Sequence, residues 1–164
     1  LYIDPPWKQV GAVGYNLPRS AVKYATMSQK ELLALAQSVR RITSSRAHCY
    51  MWTTNRELPR ALELISAYGF EYITTITWDK GKNALGTYFR SRTEHCLFAT
   101  TKARSVRVSC RDSTMLTAPR GIHSEKPSAM REMIERVSYP PYLELFARRA
   151  LKNWNAIGLE LEDV

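Results

Sequence analysis

The chain has 164 residues, 45% of them hydrophobic, which suits one domain with a proper core. Lysine and arginine number 24 against 15 carboxylates, a formal net charge of +9. No apolar run approaches the ~20 residues of a membrane span, and the basic balance points to a polyanionic partner or a solvated basic face.

The first three residues, Leu1-Tyr2-Ile3, have the character of a buried strand end. The chain does not start with Met and begins inside this strand, so the expectation is an upstream segment missing from the sequence. Asp4-Pro5-Pro6-Trp7 leaves the strand tip. Proline fixes φ and removes an N–H donor, so the carbonyls here are expected to face a cleft and not a ladder. Residues 8–26 carry Gly11, Gly14, Asn16 and Pro18, and a connection this long is usually functional. Tyr15 and Tyr24 within it are candidates to touch a planar substrate.

Ser28-Gln29-Lys30-Glu31 is a capping box, which starts a helix at Gln29. Leu32, Leu35, Ala36 and Val39 give it one buried face. Arg40, Arg41 and Arg46 suit its C-terminal end. His48 to Thr53 is a short apolar strand. Pro59 suits the first turn of a second helix, with Leu58, Ala61, Leu62, Ile65 and Tyr68 on its inner face and Gly69 as its stop. Phe70 to Trp78 is a strand rich in Ile, Thr, Tyr and Trp. Residues 79–92 form a second exposed loop with Arg90 and Arg92, and Glu94 to Thr100 a further strand.

Residues 101–113 are basic and serine-rich, with Lys102, Arg104, Arg107 and Arg111. This is the predicted place for a nucleic-acid contact. Met115 to Ala118 is a short strand ended by Pro119. Pro127 opens a third helix with Met130, Met133, Ile134 and Val137 inside. Tyr142 to Ala147 is the last predicted strand. Strands alternating with amphipathic helices predict an α/β fold, a mainly parallel sheet with helices on both faces. The expected organisation is a single domain over residues 1–164.

Cys49, Cys96 and Cys110 show no CxxC spacing, and reduced thiols in an intracellular protein are the simple reading. His48, His95 and His123 are too scattered for a metal site. No G-x-G-x-x-G is present, which counts against a dinucleotide cofactor. In an open α/β sheet the ligand lies outside the carboxyl ends of the strands. Asp4 sits at one such end and Phe146-Ala147-Arg148 at another.

Asp4-Pro5-Pro6-Trp7 resembles the catalytic motif of the MT-A70 adenine N6-methyltransferases. The resemblance continues in the family's order through Tyr24-Ala25-Thr26-Met27-Ser28, Tyr50-Met51-Trp52-Thr53-Thr54-Asn55 and Trp78-Asp79-Lys80. It runs on through Glu94-His95-Cys96-Leu97, His123-Ser124-Glu125-Lys126-Pro127 and Leu143-Glu144-Leu145-Phe146-Ala147-Arg148. The compact form looks most like the bacterial and prophage branch. The resemblance implies a Rossmann-like methyltransferase fold, S-adenosylmethionine as cofactor, and adenine N6 in DNA, or RNA, as the acceptor. It also implies a cytoplasmic protein of a bacterial or phage-infected cell, without a membrane partner, working as monomer, homodimer or heterodimer.

The N6 lone pair is delocalised into the purine and is a poor nucleophile. The resemblance gives Asp4 carboxylate and the Pro5 carbonyl the task of accepting from the amino hydrogens. It makes Asp4, Pro5, Pro6 and Trp7 the catalytic set, Trp7 stacking on the base. The base must be flipped out of a duplex or already unpaired. The same resemblance assigns Asp4, Lys126, Phe146, Arg148 and Glu160 to the cofactor, with Lys126 near its carboxylate and Arg148 near its ribose. Trp7, Tyr15, Tyr24, Arg90, Arg92 and Arg104 are the expected substrate contacts. Two positions depart from the family pattern: Leu159 where an asparagine is usual, and Asp79 where an apolar residue is common. Glu94 and His95 suggest a general base, but methylated N6 loses its proton readily, and His95 reads as a satisfied histidine. Two other readings compete: an inactive nucleic-acid-binding subunit of this fold, and a methyltransferase of protein or small amides.

Overall fold

The computed structural model describes residues 1–8, 25–84, 88–101, 112–121, 125–159 and 161. Among them seven strands form one sheet: β1 (Tyr2–Ile3), β2 (His48–Thr53), β3 (Glu71–Asp79), β4 (Thr93–Thr100), β5 (Met115–Thr117), β6 (Tyr142–Leu145) and β7 (Trp154–Ile157). The helices are α1 (Gln29–Ala34), α2 (Ala36–Ile42), α3 (Leu58–Ala67) and α4 (Ser128–Val137). The strand order is β5-β3-β4-β2-β1-β6-β7. All pairings are parallel except those of β4, which runs antiparallel to both β2 and β3. This is the expected α/β arrangement, mostly parallel and Rossmann-like, with one reversed strand inserted.

Strand alternation builds two cores from single strands. Ile3, Cys49, Met51, Leu97 and Ala99 face one way and pack with Leu32, Val39, Ala61, Leu64 and Ile65. Tyr2, Tyr50, Trp52 and Cys96 face the other way and pack with Met130, Met133, Ile134 and Val137. So α1, α2 and α3 cover one face and α4 the other. Each fully buried aliphatic side chain in these clusters contributes on the order of 2 kcal/mol. Two buried polar contacts tie neighbouring elements together within single layers. Trp52 Nε1 donates to Tyr2 Oη at 2.6 Å, and Tyr68 Oη donates to the Leu32 carbonyl at 2.9 Å.

The capping box is formed: Glu31 N donates to Ser28 Oγ at 3.3 Å and Ser28 N donates to Glu31 Oε2 at 2.7 Å. The helix it starts is interrupted, because Leu35 N–H turns to the Leu32 carbonyl at 3.2 Å and tightens the turn between α1 and α2. Arg40 does more than suit a helix end. Its Nε donates to the Ala67 carbonyl at 2.8 Å. Gly69, with φ +90, takes the left-handed position that stops α3. The inner face of α3 needs one correction. Leu62 is 38% exposed, while Leu64 is buried with Ala61, Ile65 and Tyr68. Position 62 lies about 100° round the helix from 61, outside the stripe.

The last predicted strand is shorter than expected. β6 ends at Leu145 because Phe146 adopts φ 61, a left-handed turn that leaves the ladder. β7 follows and was not predicted. It pairs parallel with β6, from Tyr142↔Trp154 to Leu145↔Ile157. Among the described residues no helix is long and apolar enough to cross a membrane, and no group of His, Cys, Asp and Glu could hold a metal. Cys49 and Cys96 are buried and free.

Candidate active site

β1 lies between β2 and β6, so the direction in which successive strands are added reverses beside it. Crossovers then leave on opposite faces, and a crevice opens at the carboxyl ends. A cavity of about 750 Å³ lies there, lined by Asp4, Pro5, Pro6, Trp7, Glu94 and Lys126 among others. Phe146 and Arg148 from the β6 end, and Ile157, Gly158 and Leu159 from the β7 end, complete one wall. The volume suits a ligand of drug or cofactor size.

The motif is anchored at its base. Met27 N donates to the Pro6 carbonyl at 2.8 Å, and Lys8 N donates to the Met27 carbonyl at 3.1 Å. The long connection therefore starts and returns at the motif itself, where Trp7 and Met27 form a parallel bridge. The Pro5 carbonyl is not free of the backbone, as the two prolines led us to expect. It accepts from Trp7 N–H at 2.8 Å. A carbonyl oxygen has two lone pairs, so one acceptor position remains. The Trp7 indole N–H is buried and without a hydrogen-bond partner among the described residues. An unpaired buried donor costs about 1–3 kcal/mol, and a ligand acceptor would relieve it.

The charged centre is a chain of four side chains. Lys126 Nζ lies 3.1 Å from Asp4 Oδ2 and 2.6 Å from Glu94 Oε1. Lys80 Nζ lies 3.7 Å from Glu94 Oε2. Lys126 also sits 5.3 Å from the Trp52 ring centroid, a cation–π contact. The lysine side chain is only 9% exposed, and Asp4 28%. Burial pushes the Asp4 carboxyl up from its ordinary value; Lys126 opposes this and Glu94 adds to it. Burial works to lower the Lys126 ammonium, but Asp4 and Glu94 outweigh it and lift it to about 12. The lysine therefore stays charged and holds Asp4 toward its ionised form.

The sequence-derived candidates divide into three groups. Asp4, Pro5, Pro6, Trp7, Lys126, Phe146 and Arg148 converge on the cavity. Arg90 and Arg92 do not line it. They lie on the connection between β3 and β4, where Arg92 grips Asp79 through Nε at 2.6 Å and Nη2 at 2.7 Å. Arg92 is thus a clamp within its own loop, and it accounts for the acidic residue at position 79. Tyr15, Tyr24, Arg104 and Glu160 lie outside the described residues. So do most of the loops over residues 8–26 and 101–113.

Sequence reasoning set Glu94 aside as a base and missed its place as the partner of Lys126. It also missed Arg56 and Glu57, which follow the end of β2 and line the cavity. The signal was available: both sit at the carboxyl edge that the strand order marks. His95 is half-buried with both nitrogens engaged, Nε2 to Asn55 Oδ1 at 2.6 Å and Nδ1 to Thr77 Oγ1 at 3.2 Å. Burial lowers its imidazole, against the raising effect of Glu94. It lies outside the cavity lining.

Gly158 is required by close approach. A Cβ there would collide with the Ala147 carbonyl oxygen, while Ala147 N–H donates to the Ile157 carbonyl at 3.1 Å. That contact seals the wall between the ends of β6 and β7. Leu159, the departure from the family pattern, is 96% exposed at the cavity mouth.

A family model described as MT-A70 matches residues 1–160. Among curated proteins, the chain is 27% identical over 175 residues to a rice protein (Oryza sativa subsp. japonica) named "Probable N(6)-adenosine-methyltransferase MT-A70-like", covering 100% of the chain and 23% of that protein. It is 27% identical over 172 residues to the Arabidopsis thaliana "N(6)-adenosine-methyltransferase MT-A70-like", covering 98% of the chain and 23% of that protein. It is 25% identical over 172 residues to the human "N(6)-adenosine-methyltransferase catalytic subunit METTL3", covering 98% of the chain and 28% of that protein. The chain thus spans about a quarter of the length of the curated relatives it matches.

Proposed function

The chain belongs to the MT-A70 family, and from that premise we propose that it transfers a methyl group from S-adenosylmethionine to N6 of an adenine in nucleic acid, with DNA as the polymer. The observation that carries this reading is the convergence of Asp4, Trp7, Lys126, Phe146 and Arg148 on one cavity at the carboxyl edge. The residues fit the methyl donor. A carboxylate stands ready for its sulfonium charge, an indole N–H without a partner among the described residues for an acceptor, and an apolar wall including Val39, Ile42 and Leu145 for its adenosine.

S-adenosylmethionine, when bound, supplies an electrophilic methyl on a positively charged sulfur. The chain's residues do the rest. Asp4 accepts from one amino hydrogen of the adenine and the remaining lone pair of the Pro5 carbonyl accepts from the other. That draws electron density back onto N6. As the methyl leaves the sulfonium, which becomes a neutral thioether, positive charge grows on N6; the Asp4 carboxylate stabilises it, and the surplus N6 proton then passes to solvent. A preorganised group of this kind contributes roughly 3–4 kcal/mol to lowering the barrier. Lys126, tied to Asp4 and Glu94, opposes protonation of that carboxylate and holds it in place. Trp7 offers its ring face to the base, a contact of about 1–3 kcal/mol. The net charge of +9 supplies affinity for the phosphate backbone.

DNA is favoured by the resemblance to bacterial and prophage members. RNA is the second polymer, favoured by the names of the relatives, which specify adenosine, a ribonucleoside. An inactive subunit is the alternative to an enzyme, and Leu159 at the cavity mouth is the observation on its side. The deciding experiment is transfer of labelled methyl to matched DNA and RNA oligonucleotides, with the chain and with Asp4→Ala. N6-methyladenine in DNA, absent with Asp4→Ala, is the expected result. Label on RNA alone moves the reading to the second polymer. No label and no cofactor binding by calorimetry supports the inactive subunit.

A further inference from the structure

The connection between β3 and β4 is a hairpin standing on the same edge of the sheet as Asp4. β2 ends there, and its last residue, Thr53, faces His95 near the start of the antiparallel β4. The ladder continues past the strands: Lys80 N donates to the Arg92 carbonyl at 3.1 Å and Ala84 N to the Ser91 carbonyl at 2.7 Å. Asp79 locks the base, taking the Arg92 guanidinium on two oxygens and the Gly81 N–H at 2.9 Å. The root is also wired to the cavity, through Lys80 to Glu94 and from Glu94 to Lys126.

Beyond this fixed root, Tyr88 and Phe89 are 91% and 89% exposed. Burying an aromatic ring is among the largest gains a chain can make, and here two successive rings are left in water. Among the described residues, the other exposed apolar side chains are aliphatic or far less open. Arg90 is exposed beside the rings. Residues 80–92 contain no carboxylate; Lys80 and Arg92 are paired with Glu94 and Asp79 at the root, and Lys82 and Arg90 lie farther out, both exposed. Open rings among cations, with no acid between them, match a polyanion that carries flat π faces. They match an apolar protein surface less well, since burying it would strip water from the cations. Phe89 is five residues from Glu94 on the cavity wall, so its backbone lies within about 17 Å of it. That is within reach of nucleotides next to one held in the cavity.

We propose that this hairpin is a stacking finger for single-stranded DNA: Tyr88 and Phe89 take unpaired bases flanking the target adenine, and Arg90 takes an adjacent phosphate. The proposal rests on the methyltransferase reading and deepens it. Stacking tolerates any base, so the finger holds the strand open and in register without reading its sequence.

The test is binding of a fluorescent single-stranded DNA oligonucleotide by anisotropy over a salt series. It uses the chain, Tyr88→Ala/Phe89→Ala, Tyr88→Phe/Phe89→Tyr and Arg90→Ala, with cofactor binding followed by calorimetry as the check on folding. The double alanine variant is expected to bind at least about tenfold more weakly, at an unchanged salt slope. The aromatic exchange should retain the wild-type affinity. Arg90→Ala should lower the slope by about one. Unaltered affinity of the double alanine variant overturns the finger and leaves the methyltransferase reading standing. A change in the solution mass of that variant, with DNA affinity intact, overturns it in favour of a protein interface. Cofactor binding without DNA binding by the wild-type chain removes both the finger and the proposed DNA substrate.

Discussion

Replacing Lys126 with methionine tests the electrostatic reading of the site most directly. The ammonium lies 3.1 Å from Asp4 and 2.6 Å from Glu94. At an effective dielectric of about 20, each pair attracts by roughly 5–6 kcal/mol before desolvation is counted. Removing one partner of such a buried set costs about 3–5 kcal/mol, because the other charges are left uncompensated. Against a typical domain stability of about 5–15 kcal/mol, Lys126→Met should fold, but with a clearly lower urea midpoint. Glu94→Gln added to it removes one of the two facing carboxylates and should return about 1–3 kcal/mol. The pH dependence has a definite sign. The Asp4 carboxyl is already raised from 3.8 by burial and by Glu94, and Lys126→Met removes the cation that opposes both. An acid whose folded pKa lies above its unfolded one favours folding below the unfolded value and loses that contribution as pH rises through the folded value. So, on Asp4's account, the deficit of Lys126→Met should shrink as pH falls from neutral toward 3.8. The acid limb of methyl transfer should move to higher pH, because the proposed transfer uses Asp4 in its ionised form. Urea titrations at several pH values and a pH–rate profile measure both. A midpoint equal to wild type, or a double variant less stable than Lys126→Met, would refute the reasoning.

Three further outcomes are expected. The Asp79 carboxyl, held down to about 2 first by its hydrogen bonds to Arg92, should titrate near that value by carboxyl-carbon NMR. Arg92→Ala should return it toward 3.8, and in the wild type the clamp's contribution should fade only as pH falls below 3.8 toward 2. Gly158→Ala should cost about 1–3 kcal/mol in urea unfolding, and it should weaken cofactor binding, since the new Cβ forces the ends of β6 and β7 apart. Leu159→Asn should leave stability within about 0.5 kcal/mol and tighten S-adenosylmethionine binding several-fold by calorimetry; an unchanged affinity would clear Leu159 of any role.

The sheet and its two covering layers were legible because period-2 and period-3.6 patterns are local. The inner face of α4 emerged as Met130, Met133, Ile134 and Val137, all buried. The face of α3 was misjudged at Leu62 because Leu62 and Leu64, two positions apart, each fit part of a loose template, and only packing distinguishes them. β7 was missed because its four residues hold little apolar alternation and gain their place by pairing with β6. Asp4 and Lys126 were both legible as candidates that meet in one cavity, but not as partners. Their contact spans 122 positions of sequence, from 4 to 126, and depends on which strands lie side by side. Glu94 was hidden for a related reason. It opens a strand that runs against its neighbours, whereas the rule for α/β sheets looks at strand ends.

That reversed strand has a consequence for how the molecule can change. A parallel neighbour would have to be reached by a crossover spanning the sheet. Because β4 runs backwards, β3 reaches it directly, without a crossover whose length the sheet would fix. Residues can be added to or removed from the tip while the ladder, the two cores and the Asp4 cluster keep their positions. The fold thus separates a part where variation is expensive from a part where it is cheap, and sets the two within a few residues of each other. Exchange of residues 81–91 between relatives should move single-strand affinity as a portable trait, with the chemistry left behind in the recipient.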